Sequence, residues 1–101
     1  MKVLLNVFFP HDEFNAAVRD GSVGKKLKKI LDKIKPEAVY FTEQLGERSA
    51  VLVVEVPEAS KIPSIAEPWF LTFNARVEFK LVMTPEDLEK GELDKLGKKW
   101  G

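Results

Sequence analysis

The sequence predicts an α+β domain with the order strand, helix, strand, strand, helix, strand, and three observations predict it. From Ala75 to Leu81 the alternation is strict: Ala75, Val77, Phe79 and Leu81 face one way and Arg76, Glu78 and Lys80 the other, the pattern of a half-buried strand. From Val23 to Lys35 the period becomes helical. At roughly 100° per residue, Val23, Leu27, Ile30, Leu31 and Ile34 share one side and six lysines take the rest. Between two strand-forming runs, Leu45-Gly46-Glu47 offers a tight turn in which glycine supplies positive φ, so the runs form a hairpin. At 101 residues and 45% hydrophobic, the chain suits a single domain, 1–101, around one core.

Taken in order, Lys2 to Phe9 is apolar on both faces, Val3, Leu5, Val7 and Phe9 against Leu4, Asn6 and Phe8. It reads as a central strand covered twice. Pro10 stops it, and His11 or Asp12 is placed to cap a helical stretch in which Phe14, Ala17 and Val18 share a face. Asp20-Gly21-Ser22 interrupts that stretch: either Gly21 ends one helix in the left-handed conformation and Ser22 caps the next, or one bent helix runs through. Pro36 ends the amphipathic helix, Ala38 to Thr42 is the second strand and Ser49 to Val56 the third. Beyond Pro57, Ser60 can cap a helix with an apolar face of Ile62, Ile65, Ala66, Trp69, Phe70 and Phe73. Pro63 is tolerated in its first turn, and Pro68 either starts a new turn or kinks the old one. Asn74 is the exit residue. After the last strand, Thr84-Pro85-Glu86-Asp87 places a hydroxyl at the N-cap, proline at the first helical position and an acid three residues after the cap. Leu88, Leu93 and Leu96 are spaced for one short helix or two broken at Gly91, and residues 97–101 are expected as a tail that docks through Trp100 or frays.

That order is the ferredoxin-like βαββαβ sandwich, two helices covering one face of a four-stranded antiparallel sheet, here with a C-terminal helix. The odd-numbered residues of the first and last strands, with Ala50, Leu52, Val54 and Val56, make the helix-side layer. The opposite face collects Leu4, Asn6, Phe8, Tyr40, Thr42, Val51, Val53, Arg76, Glu78 and Lys80, an apolar patch rimmed by charge. Water is a poor cover for it. A two-fold homodimer pairing the open sheet faces is the expected assembly.

The element order together with I-A-E-P-W-F-L-T-F-N-A-R-V-E-F (65–79) and M-T-P-E-D-L (83–88) resembles small, functionally uncharacterised bacterial proteins of the dimeric α/β-barrel superfamily, over nearly the whole chain. The resemblance implies a dimer whose two sheets form a barrel with helices outside. Relatives in that superfamily include muconolactone isomerases and cofactor-independent quinol-type monooxygenases, which bind small organic molecules between sheet and helices. Their catalytic pattern is not found in this sequence, so no residue is carried over as catalytic.

Sixteen basic residues balance sixteen acidic ones, which gives no net field for nucleic acid or an anionic membrane. With no cysteine, disulfides and thiolate metal sites are excluded. The apolar run at Val3–Phe9 is too short for a signal segment or a membrane span, and a cytoplasmic protein is expected. His11, the only histidine, is a candidate general base or ligand at a pocket mouth, or else a solvated turn residue. Asn6, Asn74, Arg76 and Glu78 are candidates to orient a carboxylate or carbonyl substrate, with Tyr40 supplying a phenol; the alternative is an Arg76/Glu78/Lys80 ion-pair network at an interface. Glu67 is a pocket acid or a cap for the turn at Pro68, and Trp69 lines a ligand cavity or is ordinary core. Carboxylates are scattered rather than clustered at ligand spacing, so no metal is expected, and no cofactor. The functional expectation is a homodimer binding a small organic metabolite between sheet and helices. The alternatives are a cofactor-independent isomerase or monooxygenase-like enzyme using His11, Tyr40 or Arg76, and a structural or protein-interaction module with a filled interior.

Overall fold

Alternation fixes the strands and apolar periodicity the helices of the computed structural model, which describes residues 1–101. Strand β1 spans Lys2–Phe8, helix α1 His11–Arg19, α2 Val23–Ile34, β2 Ala38–Gln44, β3 Glu47–Glu55, α3 Ile62–Phe73, β4 Arg76–Val82, α4 Pro85–Lys90 and α5 Leu93–Trp100, with one 3-10 turn at Ala59–Lys61 before α3. The sheet order is β2-β3-β1-β4 and every pairing is antiparallel. This is the ferredoxin-like βαββαβ sandwich, extended at its C-terminal end by α4 and α5.

Register brings the helix-side residues into rows. Val39, Leu52, Leu5 and Phe79 form one row across the sheet, and Phe41, Ala50, Val7 and Val77 the next. Leu5, Val7, Ala50, Leu52 and Val56 are fully buried under the helices, as are Trp69 and Phe73 of α3. An aromatic cluster closes the end of the core near Phe9. Its ring lies 4.9 Å from Phe14, 5.2 Å from Phe73 and 5.9 Å from Trp69, tilted or edge-on as ring quadrupoles favour. Leu81 belongs to this layer by register with Val3, yet it is 71% exposed. It stands near the end of an edge strand, where no helix covers it.

The chain breaks cleanly between α1 and α2, with Gly21 at φ 81°. Ser22 does not cap α2 with its hydroxyl. Its own backbone is already helical (φ −89°, ψ −8°), whereas a capping side chain folds over its helix from an extended residue; instead its N–H donates to Asp20 Oδ1 at 2.8 Å. Nor do His11 and Asp12 cap α1. Pro10, extended at ψ 142°, holds that position, so His11 is the first helical residue and Asp12 lies in the first turn, where its charge suits the helix dipole. Ser60 falls inside the 3-10 turn and donates to Glu58 Oε1 at 2.9 Å. Pro68 neither starts nor ends a helix but sits inside α3. Asn74 ends α3 in the left-handed conformation at φ 55°, one that asparagine tolerates better than most residues. Thr84 and Asp87 form a reciprocal capping box, each side chain bonded to the other's backbone N–H at 3.1 Å.

Residues 97–101, expected as a tail, instead continue α5 as far as Trp100, whose ring is 77% exposed rather than docked. The radius of gyration is 17.1 Å and the extents 60 × 28 × 19 Å, against about 13 Å expected for a compact chain of this length. The excess is the α4–α5 arm, which makes no extensive contact with the sandwich. No helix is long and apolar enough to cross a membrane.

Candidate functional site on the open sheet face

Side chains of the opposite parity build the second face of the sheet. Three rows cross it: Ala38, Val53, Leu4 and Lys80; Tyr40, Val51, Asn6 and Glu78; Thr42, Ser49, Phe8 and Arg76. Each row is charged only at the β4 edge, because only there does the alternating strand carry ions. Leu4, Asn6, Val51 and Val53 are half-buried by their neighbours and Tyr40 is exposed. The centre is therefore apolar and within reach of solvent.

Two polar constellations flank that centre. At the β4 edge, the Arg76 guanidinium lies 3.9 Å over the Phe8 ring and its Nη1 donates to Glu78 Oε2 at 2.7 Å. Phe8 is buried for this reason, its face covered by a cation that the ring quadrupole attracts. Lys80 makes no ion pair, so the three-member network reduces to Arg76 and Glu78. Toward β2, Gln44 Nε2 donates to Ser49 Oγ at 3.0 Å and, more weakly, to Asn6 Oδ1 at 3.4 Å, while the Ser49 hydroxyl donates to the Thr42 carbonyl. Asn6 thus spends its oxygen inside the sheet and keeps its amide N–H bonds for another acceptor. At the foot of the face, Lys2 Nζ donates to Glu37 Oε2 at 2.6 Å, and that hydrogen bond holds the ammonium above the usual lysine range.

The sequence-level candidates divide among four places. Asn6, Tyr40, Arg76 and Glu78 share the open face. Trp69 is inside the core at 0% exposure, with its Nε1 lacking a hydrogen-bond partner, and Glu67 is exposed on α3. Asn74 closes α3, donating from Nδ2 to Glu13 Oε1 at 3.3 Å. His11 is exposed at the start of α1. Tyr40 and Arg76 belong to strands at opposite edges of the sheet, about 14 Å apart at three strand spacings, so His11, Tyr40 and Arg76 do not converge on one reacting atom. Gln44 and Ser49 escaped the sequence reading although both carry the parity of Tyr40 and Val51. The second strand runs two residues past Thr42, and its continuation through polar Glu43 and Gln44 was the missing signal.

Three depressions mark the surface. One of about 470 Å³ and one of about 220 Å³ share Lys33 and Pro68 along the seam between α2 and α3, and the third, about 330 Å³, lies in the angle between α4 and α5. None is lined by Trp69, Phe73 or any residue of β1, β2 or β4. The space between helices and sheet is filled by side chains.

No protein-family model matches the chain, and a comparison with curated proteins finds no match. Among solved structures, the de novo designed protein Ferredog-Diesel is similar over 80% of this chain and 85% of its own, at 15% identity and a TM-score of 0.43. A likeness of that degree carries no argument about function.

Proposed function

We propose that the open sheet face is a self-association surface and that the chain works as a homodimeric interaction module, two copies pairing their sheets with the helices outward in the manner of a dimeric α/β barrel. The observation that carries this is the apolar centre formed by Leu4, Val51, Val53 and Tyr40, which no element of the chain covers, beside the ionic rim of Arg76, Glu78 and Lys80. Full burial of such a side chain is worth about 1.5–3 kcal/mol, and half of that remains to be gained here. Eight such side chains, four on each of two copies, supply the drive for pairing against the entropy that association costs.

Light scattering at micromolar concentration is expected to give twice the chain mass, and Val53→Lys to shift the monomer–dimer midpoint to several-fold higher concentration with unchanged far-UV circular dichroism, because Val53 faces away from the core. A monomeric native chain would sink the proposal. A second reading, binding of a small organic acid at the same face, is supported by the free Asn6 amide, the Tyr40 hydroxyl and the Arg76 guanidinium. It places the ligand between sheets rather than between sheet and helices, where side chains already fill the space. A thermal-shift screen of aromatic and carboxylic metabolites tests it: a shift lost in both Asn6→Ala and Arg76→Ala supports the reading, and no shift from any compound removes it.

A further inference from the structure

The α4–α5 arm is amphipathic and has nothing to pack on. Leu93, Leu96 and Trp100 recur at helical spacing on α5, and Leu88 of α4 meets Leu93 in the depression between the two helices, so one apolar stripe runs the length of the arm. All four side chains are 45–77% exposed. The flanking charge is lopsided: Glu86, Asp87, Glu89, Glu92 and Asp94 crowd the half nearer the sheet, where Lys90 is the only cation.

The sandwich carries the complementary surface. Along the α2–α3 seam, Ile30, Ile34, Ile65 and Leu71 line two adjoining depressions edged by Lys29, Lys33 and Lys61, and by one carboxylate, Glu55, which is already paired with the N-terminal ammonium. None of these three lysines, and none of Glu86, Glu89 and Asp94, takes part in an ion pair within the chain. A leucine stripe that is acidic in its first half and basic beyond Lys95, and a groove edged mainly by lysines, thus stand unpartnered in one molecule. The capping box at Thr84 and Asp87 fixes the direction in which the arm leaves β4, and that direction carries it away from the body.

We infer that the arm docks in the α2–α3 groove of a second copy, with its leucines on the isoleucine floor and its acids against Lys29, Lys33 and Lys61. Exchange of a projecting element between identical chains needs no surface that either chain lacks. Tethering through a second contact also raises the effective concentration at the first, so the arm strengthens whatever other interface the copies share. The occupant is a second copy because the groove's charge and apolar pattern are matched by a segment of this same sequence.

The chain has no cysteine, so single thiols report on proximity. Full-length Lys33→Cys and Leu93→Cys variants, mixed and oxidised by copper phenanthroline in air, are expected to give a disulfide-linked heterodimer at a yield several-fold above the dimer formed by either variant alone. The Lys33→Cys/Leu93→Cys double variant is expected to run as a covalent dimer. A monomer closed by an internal disulfide would show the arm folding onto its own groove and overturn the inference, as would a mixture with no excess of heterodimer. Adding Lys29→Glu to the groove variant is expected to lower the yield several-fold and Glu89→Lys on the arm variant to restore it; a yield indifferent to both also overturns it. These thiols lie on helix and arm, so they read the arm contact, whereas the shift of the monomer–dimer midpoint in Val53→Lys, whose arm and groove are unchanged, reads the sheet face.

Discussion

Leu45 occupies a conformation that its side chain does not favour. It sits at φ 54° beside Gly46 at φ 80°, the two left-handed residues of the two-residue hairpin turn between Gln44 and Glu47. Leucine there costs about 1–2 kcal/mol, and with 89% exposure it recovers nothing by packing. Leu45→Asn, giving Asn-Gly, is expected to raise stability by about 1 kcal/mol and the melting temperature by roughly 4–8 °C, read by calorimetry; an unchanged or lower midpoint would contradict it. Asp87 gives a second expectation. The backbone N–H of Thr84, and then its hydroxyl, hold this carboxyl below the usual aspartate range. A folded-state pKa depressed below the unfolded one contributes stability that is complete above the unfolded value and lost as pH falls through the folded value. The capping box therefore persists at neutral pH and opens only in acid, below the range where a free aspartate titrates. Carboxyl NMR should show Asp87 titrating low, and Thr84→Ala should move that midpoint upward and speed amide exchange in α4.

Among the elements, α3 shows most plainly what the sequence discloses and what it withholds. Its apolar face, its exit at Asn74 and the proline near its start were all legible, because each is a local property of a few neighbouring residues. The fate of Pro68 was not, since whether a proline starts, kinks or merely interrupts a helix depends on what packs against it. Ile65 and Ala66 before that interruption and Trp69 and Phe73 after it, all buried, hold the helix together. Proline inside a helix costs about 3 kcal/mol, so Pro68→Ala is expected to stabilise the chain by about 1–3 kcal/mol in chemical denaturation, the recovered hydrogen bond outweighing the ring's packing in the α2–α3 seam. Stability equal to or below the native value would contradict this. The same division governs the site. Parity placed Asn6, Tyr40, Arg76 and Glu78 on one face from sequence alone, but a sequence has no strand order. That order set Tyr40 and Arg76 at opposite edges and joined Gln44 to Asn6 across β3.

For the whole molecule, the α+β order, the four strands and the helix-side layer followed from alternation, whereas the reach of the arm did not. The spacing of Leu88, Leu93 and Leu96 foretold helix without saying what the leucines meet. On the proposed pairing through the sheet and the arm, folding and association are linked, and a dimer gains stability with concentration by mass action. The melting temperature is accordingly expected to climb by several degrees between about 1 and 100 μM chain, a two-decade change worth about 2.7 kcal/mol. A flat midpoint over that range would mark a chain that folds alone. The two free borders of the sheet also differ. Beside β4 stand Arg76, Glu78 and Lys80, ions that discourage an intruding chain, while β2 sets Tyr40 next to Phe41, 70% and 50% exposed, with no lysine or arginine from Ala38 to Gln44. An unfolded neighbour finds bare amides flanked by aromatic rings on that side alone, so fibre seeding in concentrated or heated solution would begin at β2 and grow outward from it.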